Sequence, residues 1–200
     1  MDRPRTRPDA RVPPRLVDGG ADLVGRLERW AADARVDEAA RSRSRERWLR
    51  VQAEEEGTFA GVLVDLHEAG APVIVHTRAG GRHRGVVRAV GADFVALDAH
   101  GRPGGEVYVA LAAVASVRGG PGGQRVVGDR RVEPTLRLLD VVVELAAERQ
   151  HVRLVATAGE AVAGVVRSVG RDLVVVEGTG GERAFAYVPL GALAEIVVTG

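Results

Sequence analysis

GVVRAVGADFVAL, residues 85–97, is matched by GVVRSVGRDLVVV, residues 164–176, with eight of the thirteen positions identical. The offset of 79 residues holds without a gap from Thr58 and Phe59, opposite Arg137 and Leu138, to Val117, opposite Ile196. Leu66 meets Leu145, Gly80 meets Gly159, Tyr108 meets Tyr187 and Leu111 meets Leu190. Chance does not keep register over so long a span, so the chain is two copies of one unit.

The pattern within each copy is a helix followed by five strands. In the first, TFAGVLVDLHEAG (58–70) carries Phe59, Val62, Leu63 and Leu66 at helical spacing, with Gly70 as a stop. PVIVHTR, RHRGVVRAV, DFVALDA, EVYVAL and AVASVR then give short runs rich in β-branched residues between glycine-bearing turns. The second copy repeats the order as TLRLLDVVVELAAERQ, HVRLVAT, AVAGVVRSV, DLVVVEG, RAFAYVPL and LAEIVVT. Gly85 and Gly164 fall inside a strand, where a missing side chain permits a sharp bend. Gly91 and Gly170 suit the first central position of a type II′ turn, and Asp93 and Asp172 follow as acceptors for local amides.

Residues 1–19 alternate Arg, Pro and Asp without periodicity and read as a disordered arm. Residues 20–57 read as a helical segment in two runs, with Trp30 and Trp48 on amphipathic faces that call for burial. The duplicated units occupy 58–119 and 135–200, and the Gly/Pro-rich stretch 120–134 reads as a linker. With 200 residues, 46% of them apolar, the chain has ample material for packed cores. No run approaches the length of a membrane span, and the charged N-terminus lacks the apolar stretch of a secretory signal, so the expected location is cytoplasmic.

All 28 basic residues are arginine, and the net charge is only +1. Arginine abundance of this kind reads partly as codon bias, and so small a surplus makes no general case for a polyanionic partner. Lysine and cysteine are both absent. That removes a Walker lysine, a Schiff base, a thiolate nucleophile and thiolate metal ligands together. None of Ser42, Ser44, Ser116 and Ser168 sits in a nucleophile elbow, and the five histidines show no metal-ligand spacing. His76 and His83 read as isolated surface residues. GTGGE (178–182) joins two strands and opens no helix, so it is no phosphate cradle. No catalysis, cofactor or metal is expected.

The order helix, five bent strands, strand-borne glycine, VG-Asp-aromatic-Val entry to the third strand and Tyr-Val-x-Leu fourth strand resembles the Sm-like fold of the Hfq and LSm type. It is also similar to the layout of actinobacterial proteins with tandem Sm-like halves, some labelled transcriptional regulators. The resemblance implies an α+β chain, mainly β: two Sm-like or SH3-like five-stranded antiparallel barrels in tandem, each preceded by a helix and each with its own core. The RNA-contacting residues of the family do not carry over. Val109 and Ala110 follow Tyr108, and Val188 and Pro189 follow Tyr187, where the bacterial members have lysine and histidine.

Strand alternation places Arg82, Arg84 and Arg88 on one face, with His76 and Arg78 sharing a face of the neighbouring strand. Together with His83, the residues Arg78, Arg82, Arg84 and Arg88 form a candidate nucleic-acid-binding stripe for single-stranded RNA or DNA. The second copy keeps only Arg167, opposite Arg88. The same arginines also read as a solvated polar face. The arginines at 41, 43, 45, 47 and 50 spread around a helix and read as an exposed charged surface that docks through Trp48. Two functions follow: an interaction scaffold whose units pair with each other or with further copies through edge strands, or a nucleic-acid-binding regulator using the stripe.

Overall fold

In a computed structural model, the described residues are 19–99, 105–120, 125–130, 133–178 and 184–199. The arm read at the N-terminus falls almost wholly outside them, as do His100 and most of the GTGGE turn. The chain divides into two compact units after Arg50.

Helix α1 runs from Gly19 to Glu56 as one element of 38 residues, where the sequence suggests two runs. Alanine, arginine and glutamate dominate the segment and no proline interrupts it, so nothing stops propagation before Gly57. Within the single chain its tryptophans are not covered: Trp48 is 64% exposed, and Trp30 is exposed as well. No described helix is long and apolar enough to cross a membrane.

The second unit holds α2 (Phe59–Glu68), β1 (Pro72–Thr77), β2 (Arg82–Val90), β3 (Phe94–Ala99), β4 (Glu106–Ala110) and β5 (Val114–Gly119). It continues with α3 (Leu138–Ala147), β6 (His151–Ala156), β7 (Ala161–Val169), β8 (Leu173–Gly178), β9 (Phe185–Pro189) and β10 (Leu193–Val198). A one-turn 3-10 helix links β4 to β5 and another links β9 to β10. In both halves the strands lie in the order fifth, first, second, third, fourth, so the duplication read from the sequence extends to the topology.

The expectation of two separate sheets is corrected. The ten strands form one antiparallel sheet, β5-β1-β2-β3-β4-β10-β6-β7-β8-β9, because β10 pairs with β6 on one side and with β4 on the other. An apolar fourth strand with an unpaired edge and an apolar fifth strand with another satisfy each other's backbone groups.

The cores are not private either. Ile196 and Val198 of β10 face the second half's core, with Leu138, Val142, Leu154 and Val166, while Val197 belongs to the first half's core, with Leu63, Val75, Leu97 and Val109. In exchange, Phe94 and Ala96 of β3 enter the second core. Successive side chains of a strand point to opposite faces, and both faces of β10 are covered, so all six of its residues are buried.

A second contact fixes the halves. The Ala92 amide donates to the Leu136 carbonyl at 2.8 Å, and the Leu138 amide, first in α3, donates to Asp93 Oδ1 at 2.7 Å. Asp93 thus serves the N-terminus of the other half's helix, where a carboxylate also suits the helix dipole, and not the local amides expected of it. Nor is its turn of type II′. Positive φ occurs at Gly80 and Gly159 and not at Gly91. Glycine at 91 is demanded by space, since a Cβ there would run into the Phe94 ring and the Leu136 carbonyl.

Gly85 and Gly164 lie where the neighbouring strand crosses close by: a Cβ would collide with the carbonyls of Asp98 and Glu177 respectively. Replacing Gly164 by alanine should therefore destabilise by about 1–3 kcal/mol, as overpacking does. Gly25, inside α1 with nothing within 4 Å of its absent Cβ, should respond in the opposite sense, gaining about 1 kcal/mol of local helix stability. Denaturant unfolding of G164A, and helix content by circular dichroism for G25A, check the pair.

Candidate functional site

The joint between β4 and β10 carries the one buried charge cluster among the described residues. The register Glu195↔Val109, Val197↔Val107 on one side and Glu195↔Val155, Val197↔Arg153 on the other sets Glu195 on the face turned to the first half's core. There it is 2% exposed. Thr77, at the end of β1, donates its hydroxyl to Glu195 Oε1, and His83 Nε2 of β2 lies 2.8 Å from Oε2, with the histidine side chain 14% exposed. The Gly81 amide donates to Thr77 Oγ1 at 2.8 Å, and Gly81 must lack a side chain because a Cβ would strike the carboxylate. Burial pushes the Glu195 carboxyl up, but the hydrogen bonds from His83 and Thr77, with the charges of His83 and Arg153, outweigh it and hold the group below the usual carboxylate range.

Above this cluster opens a cleft of about 430 Å³ lined by Arg82, His83 and Arg84 of β2, Arg153 of β6 and Glu195. Arg82 and Arg84 have no carboxylate partner among the described residues, and Arg153 acts on Glu195 from beyond ion-pair distance. Three arginines, two from the first half and one from the second, thus line one concave surface. Such an arrangement can hold an anion with several oxygens through charge-assisted hydrogen bonds.

The predicted stripe is distributed as follows. Arg82, His83 and Arg84 share the cleft. Arg88 lies beside a bulge in β2, 3.7 Å from Asp98, and lines a separate cavity of about 570 Å³ with Glu106, Tyr108, the α3 carboxylates Asp140 and Glu144, and Glu148 at the α3 C-cap. Arg78 is in the turn after β1, which ends at Thr77, so the strand face expected for His76 and Arg78 does not reach Arg78. His76 instead stands directly opposite Arg82. His83 is corrected from an isolated surface residue to a half-buried partner of Glu195.

Tyr108 packs at 6.0 Å, ring centroid to centroid, from Phe94 and donates its hydroxyl to Glu106 at 2.7 Å. Burial and that carboxylate push its phenol well above the usual tyrosine range. On α1, Arg41 and Arg45 both pair with Glu38, at 3.7 and 2.8 Å, on an exposed surface.

Glu195 and Arg153 were missed in the sequence. The signal for Glu195 is present in the duplication: it faces Ser116 at the constant offset, while Thr77, Gly81 and His83 face Ala156, Glu160 and Val162. All four positions differ between the copies, as Arg78, Arg82 and Arg84 beside them also do. Among the described residues no group of three His, Cys, Asp or Glu side chains could hold a metal ion. No protein-family model matches the chain, and no curated protein or solved structure matches it either.

Because its folded-state value lies below that of a free glutamate, about 4.3, the Glu195 carboxylate contributes stability that is complete above that pH and is lost as pH falls through the lowered value. Wild type should exceed E195Q in stability at neutral pH, and the difference should shrink below about pH 4. H83A, which strands the buried carboxylate, should cost about 3 kcal/mol near neutrality. Urea unfolding midpoints across pH check both.

Proposed function

We propose that the chain is a non-enzymatic assembly scaffold. In this reading two Sm-like five-stranded barrels are joined within one molecule and add to further copies head to tail. The observation that carries it is the β4·β10 pairing. It uses the fourth strand of one half and the fifth strand of the other, and it leaves the opposite pair, β9 and β5, as the two edges of the sheet. Repeating the same operation between molecules pairs β9 of one copy with β5 of the next. The expected register is Val188↔Ser116, Tyr187↔Val117 and Ala186↔Arg118. Pro189, which lacks an amide proton, corresponds to Ala110, outside the β4·β10 register, and does not interrupt the joint.

Exposure supports the same surface. Tyr187 is 70% exposed, whereas its counterpart Tyr108 packs against the second core. Phe59 is 44% exposed, whereas its counterpart Leu138 is 6% exposed, covered at the internal joint. Head-to-tail addition gives Phe59 the place of Leu138 and offers Asp172 to the α2 N-terminus as Asp93 serves α3. A heterologous contact of this kind closes into a ring or continues as a filament. Light scattering should give a mass that is a multiple of 21.1 kDa, and Y187D should shift it toward a single chain. A wild type that stays monomeric at high concentration overturns the proposal.

A second reading, nucleic-acid binding, is favoured by the three arginines around the seam cleft. It predicts binding of single-stranded RNA that weakens steeply with salt and is lost in R82A/R84A/R153A. A filter-binding titration that detects no affinity even at about 50 mM salt sinks it.

A further inference from the structure

Four edge pairings are open to a chain with two fourth strands and two fifth strands. Inside the molecule β4 takes β10; between molecules β9 could take β5, and, were the β4·β10 joint opened, β9 could take β10 and β4 could take β5. Their backbones are alike, since the niche that receives Glu195 is built in both halves on the same turn. The Thr77 amide donates to the Gly81 carbonyl at 3.0 Å, and the Ala156 amide donates to the Glu160 carbonyl at 2.8 Å. Only side chains distinguish the niches.

We propose that the residues of these two niches are a pairing code that joins a fourth strand only to the fifth strand of the other half; the proposal rests on the assembly reading above. In the first half the niche offers the Thr77 hydroxyl, the His83 ring and the empty space at Gly81, and it receives a carboxylate. In the second half Ala156 and Val162 offer no donor, and Glu160 fills the position of Gly81 with a carboxylate of its own. Glu195 of another copy, brought against β9, would keep only the distant charge of Arg153 from its own half, lose the hydrogen bonds of Thr77 and His83, and face Glu160. That arrangement is strongly disfavoured.

The fifth strand of the first half is built for this niche. β5 presents Ser116 opposite His76, as β10 presents Glu195 opposite Val155. A serine is short enough to enter beside Glu160 and can donate its hydroxyl to that carboxylate. The polarity is thus inverted between the joints: the acid comes from the fifth strand inside the chain and from the turn before β7 between chains. β4 with β5 is the remaining mismatch, leaving Thr77 and His83 without their acceptor. Assemblies therefore alternate first and second halves without exception.

The test uses the full chain and sedimentation velocity at neutral pH, with far-ultraviolet circular dichroism to establish folding. S116E puts a carboxylate into the niche that already holds Glu160. It should weaken self-association at least about a hundredfold while the spectrum stays that of wild type. S116E/A156T/E160G/V162H rebuilds the first-half niche in the second half and should restore association to within about tenfold of wild type. S116R, which gives Glu160 a cation, should strengthen association and make it more sensitive to salt. Wild-type-like assembly by S116E, a folded quadruple variant that stays monomeric, or an S116R protein that associates more weakly than wild type each overturns the code while leaving the scaffold reading standing. A monomeric wild type removes the scaffold reading and the code with it.

Discussion

The buried contact of Glu195 with Thr77 and His83 is the constraint around which the second unit is arranged. A carboxylate removed from water is tolerated only where donors are fixed in advance, and here every donor comes from the other half of the duplication. The contact therefore ties the register of β10 on β4 to the position of the β1–β2 turn. A slip by one residue would carry Glu195 into the second core and turn Ile196 and Val198 out of it.

From that register the exchange of core residues follows. The sheet changes sides at the joint, so the face that is interior in one half is exterior in the next, and β10 and β3 contribute to both cores. The linker is held in the same spirit. The Gly128 amide donates to Asp65 at 2.9 Å and Arg130 pairs with Asp65 at 3.1 Å, fastening this part of the connecting segment along α2. The basic cleft is a by-product of the same geometry, since Arg153 lines it beside Arg82 and Arg84 only because β6 lies one strand beyond the seam.

The duplication, the element order and the α+β class were legible because they depend on local periodicity and on identities such as Gly85 with Gly164. The joint was not. EVYVA and LAEIVV have the same composition whether their edges are bare or paired, and only side-chain chemistry at a distance decides. Glu195 reads as the solvent-facing member of an alternating strand, yet the second sheet face it occupies is covered by the other half. Asp93 reads as a local turn acceptor because nothing in GADF announces that α3 will begin beside it. Arg153 is unremarkable in HVRLVA until β10 is seen to run between it and β4. The stripe was half legible: alternation correctly groups Arg82 with Arg84, while the bulge after Val87 sends Arg88 to another cavity.

Sharing the last strand has a price during synthesis. β4 ends at Ala110 and its partner begins at Leu193, so the ribosome must add more than eighty residues before that edge is covered. Until then a nascent first half carries a bare hydrogen-bonding rim and an unfilled place in its interior where Val197 belongs. Edges of this kind are where growing chains adhere to one another, and the long sequence separation slows their closure. A premature stop anywhere before β10 would leave not one intact half and one missing half but a first half that never completes its own core.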